Sequence, residues 1–350
     1  MMTSTDAVRV GTPSAPRDMD APVVLDVNDL RTHFTMPGGT VRAVDGVSYR
    51  LHRGRTLGIV GESGCGKSVT AQSILGIVPR PGKVVSGSMV LTRADGSTLQ
   101  LAGLDPKGKV IRSVRGNEIA YIFQEPMSAL SPIHTIGHQI TEVIRLHTGA
   151  NRDQARERAE TVMRQVGLPR PDEVLGRYPH QLSGGMRQRA VIGIALACSP
   201  SILIADEPTT ALDVTTEAVI LDLVRSLQDT TGMAIQFITH NLGVIAEIAD
   251  EVVVMYMGRQ VERASVTDLF LRPQHPYTQA LLRSMPRLGK RAQARLEAIE
   301  GMVPDPFSVP AGCAFHTRCR HYVPVRCDQP EYLEVAPGHW VRCSRAGEVA

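Results

Sequence analysis

No stretch of this 350-residue sequence is apolar for long enough to cross a bilayer. The longest candidate, AVIGIALACSPSILIA, is broken by Ser199, Pro200 and Ser201, and it falls short of the roughly 20 residues that a spanning helix needs. Any tie to a membrane is therefore expected to run through a partner. Charge of one sign is also scarce: 38 Lys and Arg against 35 Asp and Glu leave a net charge of +3, too little to suggest a nucleic-acid surface. The first 22 residues contain no apolar core of the kind a secretory signal carries. Rich in Ser, Thr, Pro and Asp, they are expected to form a disordered tail. Cysteines number six, and four of them fall between Cys313 and Cys343. Cys65 and Cys198 stand alone and no export signal is apparent, so disulfides are not expected.

What is present is an ordinary globular composition, 43% hydrophobic and 21% charged, in a chain long enough for one large domain plus an appendage. VVLDVND (23–29) and TVRAVDGVSYRL (40–51) read as strands of one antiparallel region. TLGIV (56–60) is a continuous apolar run of buried-strand type that ends in a glycine-rich loop. Further short strands are predicted at 201–205, 233–239 and 251–257, with a helix at 216–230 between them. A helix over 152–166 places Ala155, Ala159, Val162, Met163 and Val166 on one face. Strands alternating with helices predict an α/β fold whose sheet is mostly parallel. That rhythm stops near residue 286, where prolines and cysteines take over. Met127, Met186, Met255 and Met257 read as packing residues, and His134, His138, His147 and His180 as surface or loop residues.

GESGCGKS, Gly61 to Ser68, fits G-x-x-x-x-G-K-S at every fixed position and follows a predicted strand. Glycines let successive backbone N–H groups turn toward one anion, and the next helix adds its positive end. Gly61, Glu62, Ser63, Gly64, Cys65, Gly66, Lys67, Ser68 and Val69 are thus the expected ATP-contacting run. Within it Lys67 reaches the β- and γ-phosphates, and Ser68 offers a hydroxyl to Mg²⁺. ILIADEPT places Asp206 and Glu207 at the end of a buried strand, where open α/β sheets bind ligands. Asp206 suits Mg²⁺, and Glu207 suits orienting and deprotonating the attacking water.

Between these two motifs lies LSGGMRQR, Leu182 to Arg189. With it the chain resembles the ATP-binding subunits of ABC transporters over residues 23 to about 285. The resemblance implies a P-loop ABC ATPase fold, a mostly parallel sheet with an antiparallel β region and a helical subdomain over about 125–190. It assigns Phe34, beside His33, to stacking on adenine, and Gln124 to sensing Mg²⁺ and water. Asp213 falls in the D-loop, and His240 contacts the γ-phosphate. Ser183, Gly184 and Gly185 open a helix and so form a second anion-binding end. In the family they close over ATP held by the other subunit of a head-to-tail dimer. HPYTQALL (275–282), ADEPTTALDVT and YPHQLSGGM narrow the resemblance to the oligopeptide and dipeptide permease ATPases. Implied partners are two membrane permease subunits, a second homologous ATPase and an extracytoplasmic binding protein, with this chain peripheral on the cytoplasmic side of the cell membrane. The alternatives are an importer ATPase for nickel or another small solute, and a soluble ABC-type ATPase acting on nucleic acid. The second predicts a strongly basic groove and two cassettes, against one cassette and a charge of +3 here.

Residues 286–350 are expected to form a small, irregular, cysteine-rich region. Its Cys313, Cys319, Cys327 and Cys343 could hold tetrahedral Zn²⁺ or an iron–sulfur cluster, or be free thiols. Resemblance to peptide-permease members with a similar tail favours a [4Fe–4S] cluster as a structural staple for a segment with little core of its own.

Overall fold

The computed structural model describes residues 21–124, 129–210, 212–285 and 299–349. The expected N-terminal tail lies almost wholly outside these, as do Met127 and the start of the expected helical subdomain. Strands β1 (Val23–Met36) and β2 (Gly39–His52) pair antiparallel from Val23↔His52 to Met36↔Gly39. Their inward residues, Leu25, Val27 and Leu30 against Val44, Val47, Tyr49 and Leu51, are buried while their neighbours are less so, the period-two pattern of a half-buried sheet. Then β3 (Thr56–Val60), buried along its whole length, leads into α1 (Lys67–Ile74). With β4 (Gly82–Thr92) and β5 (Thr98–Gln100) the first two strands make an antiparallel sheet in the order β2-β1-β4-β5.

After α2 (Lys109–Val114) and β6 (Ile119–Ile122), four α-helices follow: α3 (Ile136–Thr148), α4 (Arg152–Gln165), α5 (Pro171–Leu175) and α6 (Gly184–Leu196). Asn151 and Gln154 form a capping box that starts α4, satisfying backbone donors the helix cannot. The buried face of α4 is Ala155, Ala159, Val162 and Met163, continued by Val166, as the sequence periodicity predicts. The chain continues through β7 (Ile202–Asp206), α7 (Val214–Thr231), β8 (Ala234–Ile238), α8 (Leu242–Ile248), β9 (Glu251–Tyr256) and β10 (Arg259–Ser265). Helices α9 (Val266–Leu271) and α10 (Pro276–Arg283) precede the C-terminal hairpin of β11 (Leu333–Ala336) and β12 (His339–Val341).

The large sheet has the order β11-β12-β10-β9-β3-β8-β7-β6. Strands β9, β3, β8, β7 and β6 run parallel, and successive side chains enter different cores. Ile202 and Ile204 face the core shared with the antiparallel sheet and α1, whereas Leu203 and Ala205 face the core under the helices. Burial on both faces explains why these strands read as unbroken apolar runs.

The C-terminal segment departs from expectation. It is not a separate irregular unit, because β12 pairs with β10 through Glu262↔Val341 and Arg263↔Trp340 and so extends the main sheet. Phe315 and Ala314 belong to the core under the helices. The Phe315 ring meets Tyr256 edge-on at 5.4 Å and Tyr277 at 5.3 Å. Beneath them Glu262, fully buried, accepts the Gln274 and His275 N–H groups and faces His339 Nε2 at 2.7 Å.

Candidate functional site

The site forms at the C-terminal ends of β3 and β7, where the parallel sheet opens. Two glycines of the loop are dictated by space. A Cβ on Gly61 would lie 2.3 Å from the Met255 carbonyl oxygen, and one on Gly66 2.0 Å from that of Ala43; both backbones sit at positive φ, which side chains disfavour. Cys65 is buried with its sulfur packed back on Gly61, the filler role its position suggests. Val69 packs into the core behind the loop. Lys67 is 5% exposed, and its Nζ donates to the Gly61 and Glu62 carbonyls at 2.8 and 3.2 Å. Its ammonium is therefore held inside the loop's own curve.

Ser68 Oγ donates to Asp206 Oδ1 at 2.9 Å, and Tyr121 OH donates to Oδ2 at 2.7 Å. Burial raises the Asp206 carboxyl above its ordinary range despite these two bonds. A hydroxyl and a buried carboxylate in contact are the hard oxygen donors Mg²⁺ takes, so Ser68 and Asp206 fit the ion. The next residue, Glu207, has φ +49°, a strained conformation for a residue with a Cβ. Three side chains converge on its carboxylate: Thr210 Oγ1 at 3.0 Å, His240 Nδ1 at 3.2 Å and Gln124 Nε2 at 3.4 Å. Burial pushes that carboxyl up, but the bonds from His240 and Thr210 and the nearby Lys67 charge outweigh it and hold Glu207 below the ordinary carboxylate range.

Lys67, Ser68, Asp206, Glu207, Gln124 and His240 are thus brought together from distant parts of the chain. Ser183, Gly184 and Gly185 lie elsewhere. Ser183 caps α6 by accepting the Met186 N–H, and with Gly185 it borders an open groove shared with Gly167, Arg189 and Thr216. Asp213 caps α7 through Thr216. The Phe34 ring lies over Gly82, where a Cβ would come within 2.6 Å of it. Tyr121 and Thr210 escaped sequence reasoning, although both stand within three residues of assigned motifs. Two further contacts had no local signal at all: Tyr277 OH accepts the Glu62 N–H at 2.9 Å, and Arg318 pairs with the Glu62 carboxylate.

The expectation of a [4Fe–4S] cluster is overturned. Cys313, Cys319, Cys327 and Cys343 line one small cavity with Phe315 and His316, and all four are free thiols. Yet among the described residues no three His, Cys, Asp or Glu side chains form a group that could hold a metal ion; the zinc alternative fails on the same ground. Burial raises three of these thiols, Cys313 to about 11. The staple expected from the sequence is supplied by the cassette itself, through Phe315 and β12.

Comparison with known proteins agrees with this geometry. Residues 44–210 match the ABC transporter family, and residues 261–327 match the oligopeptide/dipeptide transporter C-terminal region. The chain is 50% identical over 331 residues to a probable peptide ABC transporter ATP-binding protein, y4tR, of Sinorhizobium fredii, covering 94% of this chain and 97% of that one. It is 48% identical over 320 residues to the dipeptide transport ATP-binding protein DppD of Bacillus subtilis, covering 91% of each. Among solved structures it resembles the dimeric, post-hydrolysis ATP-binding cassette MJ0796 bound to ADP and Pi. That match has a TM-score of 0.60 and 25% identity, over 69% of this chain and 98% of the other.

Proposed function

We propose, for a chain that belongs to the ATP-binding subunits of peptide ABC transporters, that it hydrolyses ATP to power the uptake of di- or oligopeptides across the cell membrane. The observation that carries the reading is the convergence of Gln124, Thr210 and His240 on Glu207, directly beside the Ser68–Asp206 pair and Lys67. Gly61 to Val69 wrap the phosphates, with loop N–H groups and the start of α1 facing the negative charge. Lys67 turns its ammonium from the loop carbonyls to the β- and γ-phosphates. Ser68, Asp206 and Gln124 would hold Mg²⁺, which would supply charge neutralisation on the phosphate oxygens. Phe34 stacks on the adenine.

Glu207 is the base. Its carboxylate stays ionised because His240 and Thr210 donate to it, so it can orient a water and accept its proton as the γ-phosphoryl group departs. His240, whose side chain is 59% exposed, contacts that phosphoryl group. Ser183 and Gly185, with Gly184 between them at the start of α6, border a groove apart from Lys67, which supports the use of all three on ATP held by a second, homologous ATPase subunit.

An ATPase of a peptide importer works against membrane permeases. No helix among the described residues is long and apolar enough to cross a membrane, which fits a peripheral subunit on two permeases fed by an extracytoplasmic binding protein. The test is ATP-driven peptide uptake into vesicles carrying the assembled transporter. Glu207→Gln should bind ATP normally while hydrolysis and uptake fall roughly 10²–10⁴-fold, the range for losing a general base. Hydrolysis near the unaltered rate would move the base elsewhere.

A further inference from the structure

Glu62 is the second residue of the phosphate loop, yet its carboxylate points away from the loop's interior and into the C-terminal segment. There Arg318 grips it with both prongs of the guanidinium, Nη1 to Oε2 at 2.6 Å and Nη2 to Oε1 at 3.0 Å. The Arg318 side chain is 3% exposed. Its remaining donors are occupied too: Nε donates to the Glu300 carbonyl at 3.1 Å, and the Tyr256 hydroxyl lies 3.4 Å from Nη1. The guanidinium also lies over the rings of Tyr256 and Phe315, at 5.9 and 5.8 Å from their centroids. An arginine this enclosed has few rotamers open to it, so its fork fixes the carboxylate's position rather than following it.

The main chain of Glu62 is held as well. Its N–H donates to Tyr277 OH, a side chain with no exposed surface, and its carbonyl accepts from Lys67. One residue therefore links the phosphate-binding lysine, α10 and the C-terminal segment. Among the described residues no other charged contact between the loop and the rest of the chain spans so far, 256 positions.

We propose that Arg318 is a positioning residue for ATP: through Glu62 it fixes the curvature of the phosphate loop, so that the C-terminal segment sets the loop's affinity for nucleotide. The loop's N–H groups can all face one anion only if its backbone is already bent, and a loop released at Glu62 must be ordered again at each binding event, which weakens binding. The inference rests on Gly61 to Ser68 being the phosphate loop.

The experiment measures Mg-ATP affinity of the full-length chain by calorimetry, with thermal melting of each variant. Arg318→Met keeps the stem and removes the fork, while Glu62→Gln acts from the loop side and leaves the tail's own contacts in place. Each is expected to weaken ATP binding on the order of tenfold, the scale of a lost charge-assisted bond. The double variant should bind no more weakly than either single one, because both remove the same link. Arg318→Lys, a cation without the fork, should restore only part of the loss. If Arg318→Met melts too early to assay, Glu62→Gln alone decides. Variants that stay folded and bind ATP within twofold of the unaltered chain overturn the proposal, as do losses that add in the double variant. An unaltered chain that binds no ATP overturns the phosphate-loop reading itself and the proposal with it.

Discussion

Lys67 and Gly66 show how tightly single residues are specified. Lys67 Nζ already bonds two carbonyls of its own loop, so the loop geometry does not depend on a long search by a flexible side chain. Lys67→Ala removes the point charge facing the phosphates, and ATP affinity should fall roughly 10–100-fold, the worth of a charged hydrogen bond. Calorimetry on the isolated chain reads this directly, and unchanged affinity would refute the assignment. Gly66→Ala should fail for a different reason. Its new methyl would meet the Ala43 carbonyl oxygen at 2.0 Å, so the strand or the loop must move and melting temperature should fall together with affinity. Glu207 is the opposite case, a residue with a Cβ kept at positive φ. Strain of this kind persists where the surroundings hold it, and here the holders are the Glu207 N–H bond to Ile238 and the three side chains on the carboxylate.

Among the elements, α10 carries a built-in pH dependence. His275 caps it, with Nδ1 accepting the Tyr277 N–H at 3.0 Å, so the ring must be neutral at that nitrogen. Burial pulls the imidazole down from 6.5 to about 4, although Glu262 beside it acts in the other direction. The unfolded chain therefore takes up this proton before the folded one does. Stability from this group is complete above about pH 6.5 and is lost as pH falls toward 4, on the order of 3 kcal/mol in all. His275→Asn keeps a capping oxygen and cannot titrate, so its melting temperature should change less between pH 7 and 4.5; an equal change would show that another group dominates. The hairpin of β11 and β12 makes a second element-scale case. Ending the chain before Leu333 would strip β10 of its outer partner β12, leaving it paired with β9 alone, and take His339 from the buried Glu262. An exposed edge strand and a buried carboxylate left with only its two backbone N–H partners both result, and a cassette that melts several degrees lower and aggregates is the expected outcome.

At the scale of the whole molecule, the groove at Ser183 and the loop at Lys67 are separate surfaces of one chain. Ser183→Ala should spare ATP binding by the isolated subunit while lowering hydrolysis in the assembled transporter on the order of 10²-fold, as when one anion-stabilising donor is lost. Loss of affinity in the isolated subunit would show that the groove serves its own ATP. Sequence alone was enough for the parallel core and for the glycine loop and strand end that flank it, because each is encoded locally. The buried strands are short apolar runs, the loop demands its glycines within eight residues, and Asp206 and Glu207 follow directly from the strand that carries them. The same reasoning erred on the tail. Cys313, Cys319, Cys327 and Cys343 suggested a metal because residues 286–350, of which the structure describes 299–349, show no periodic core of their own in the sequence. What orders that segment is borrowed from far away: Phe315 enters a cluster with Tyr256 and Tyr277, β12 joins β10, and Arg318 reaches Glu62 across 256 positions. Local pattern reports a residue's neighbours in the chain, so it reads loops, caps and strands; contacts between distant segments exist only after the chain has folded, and only the tertiary structure could decide them.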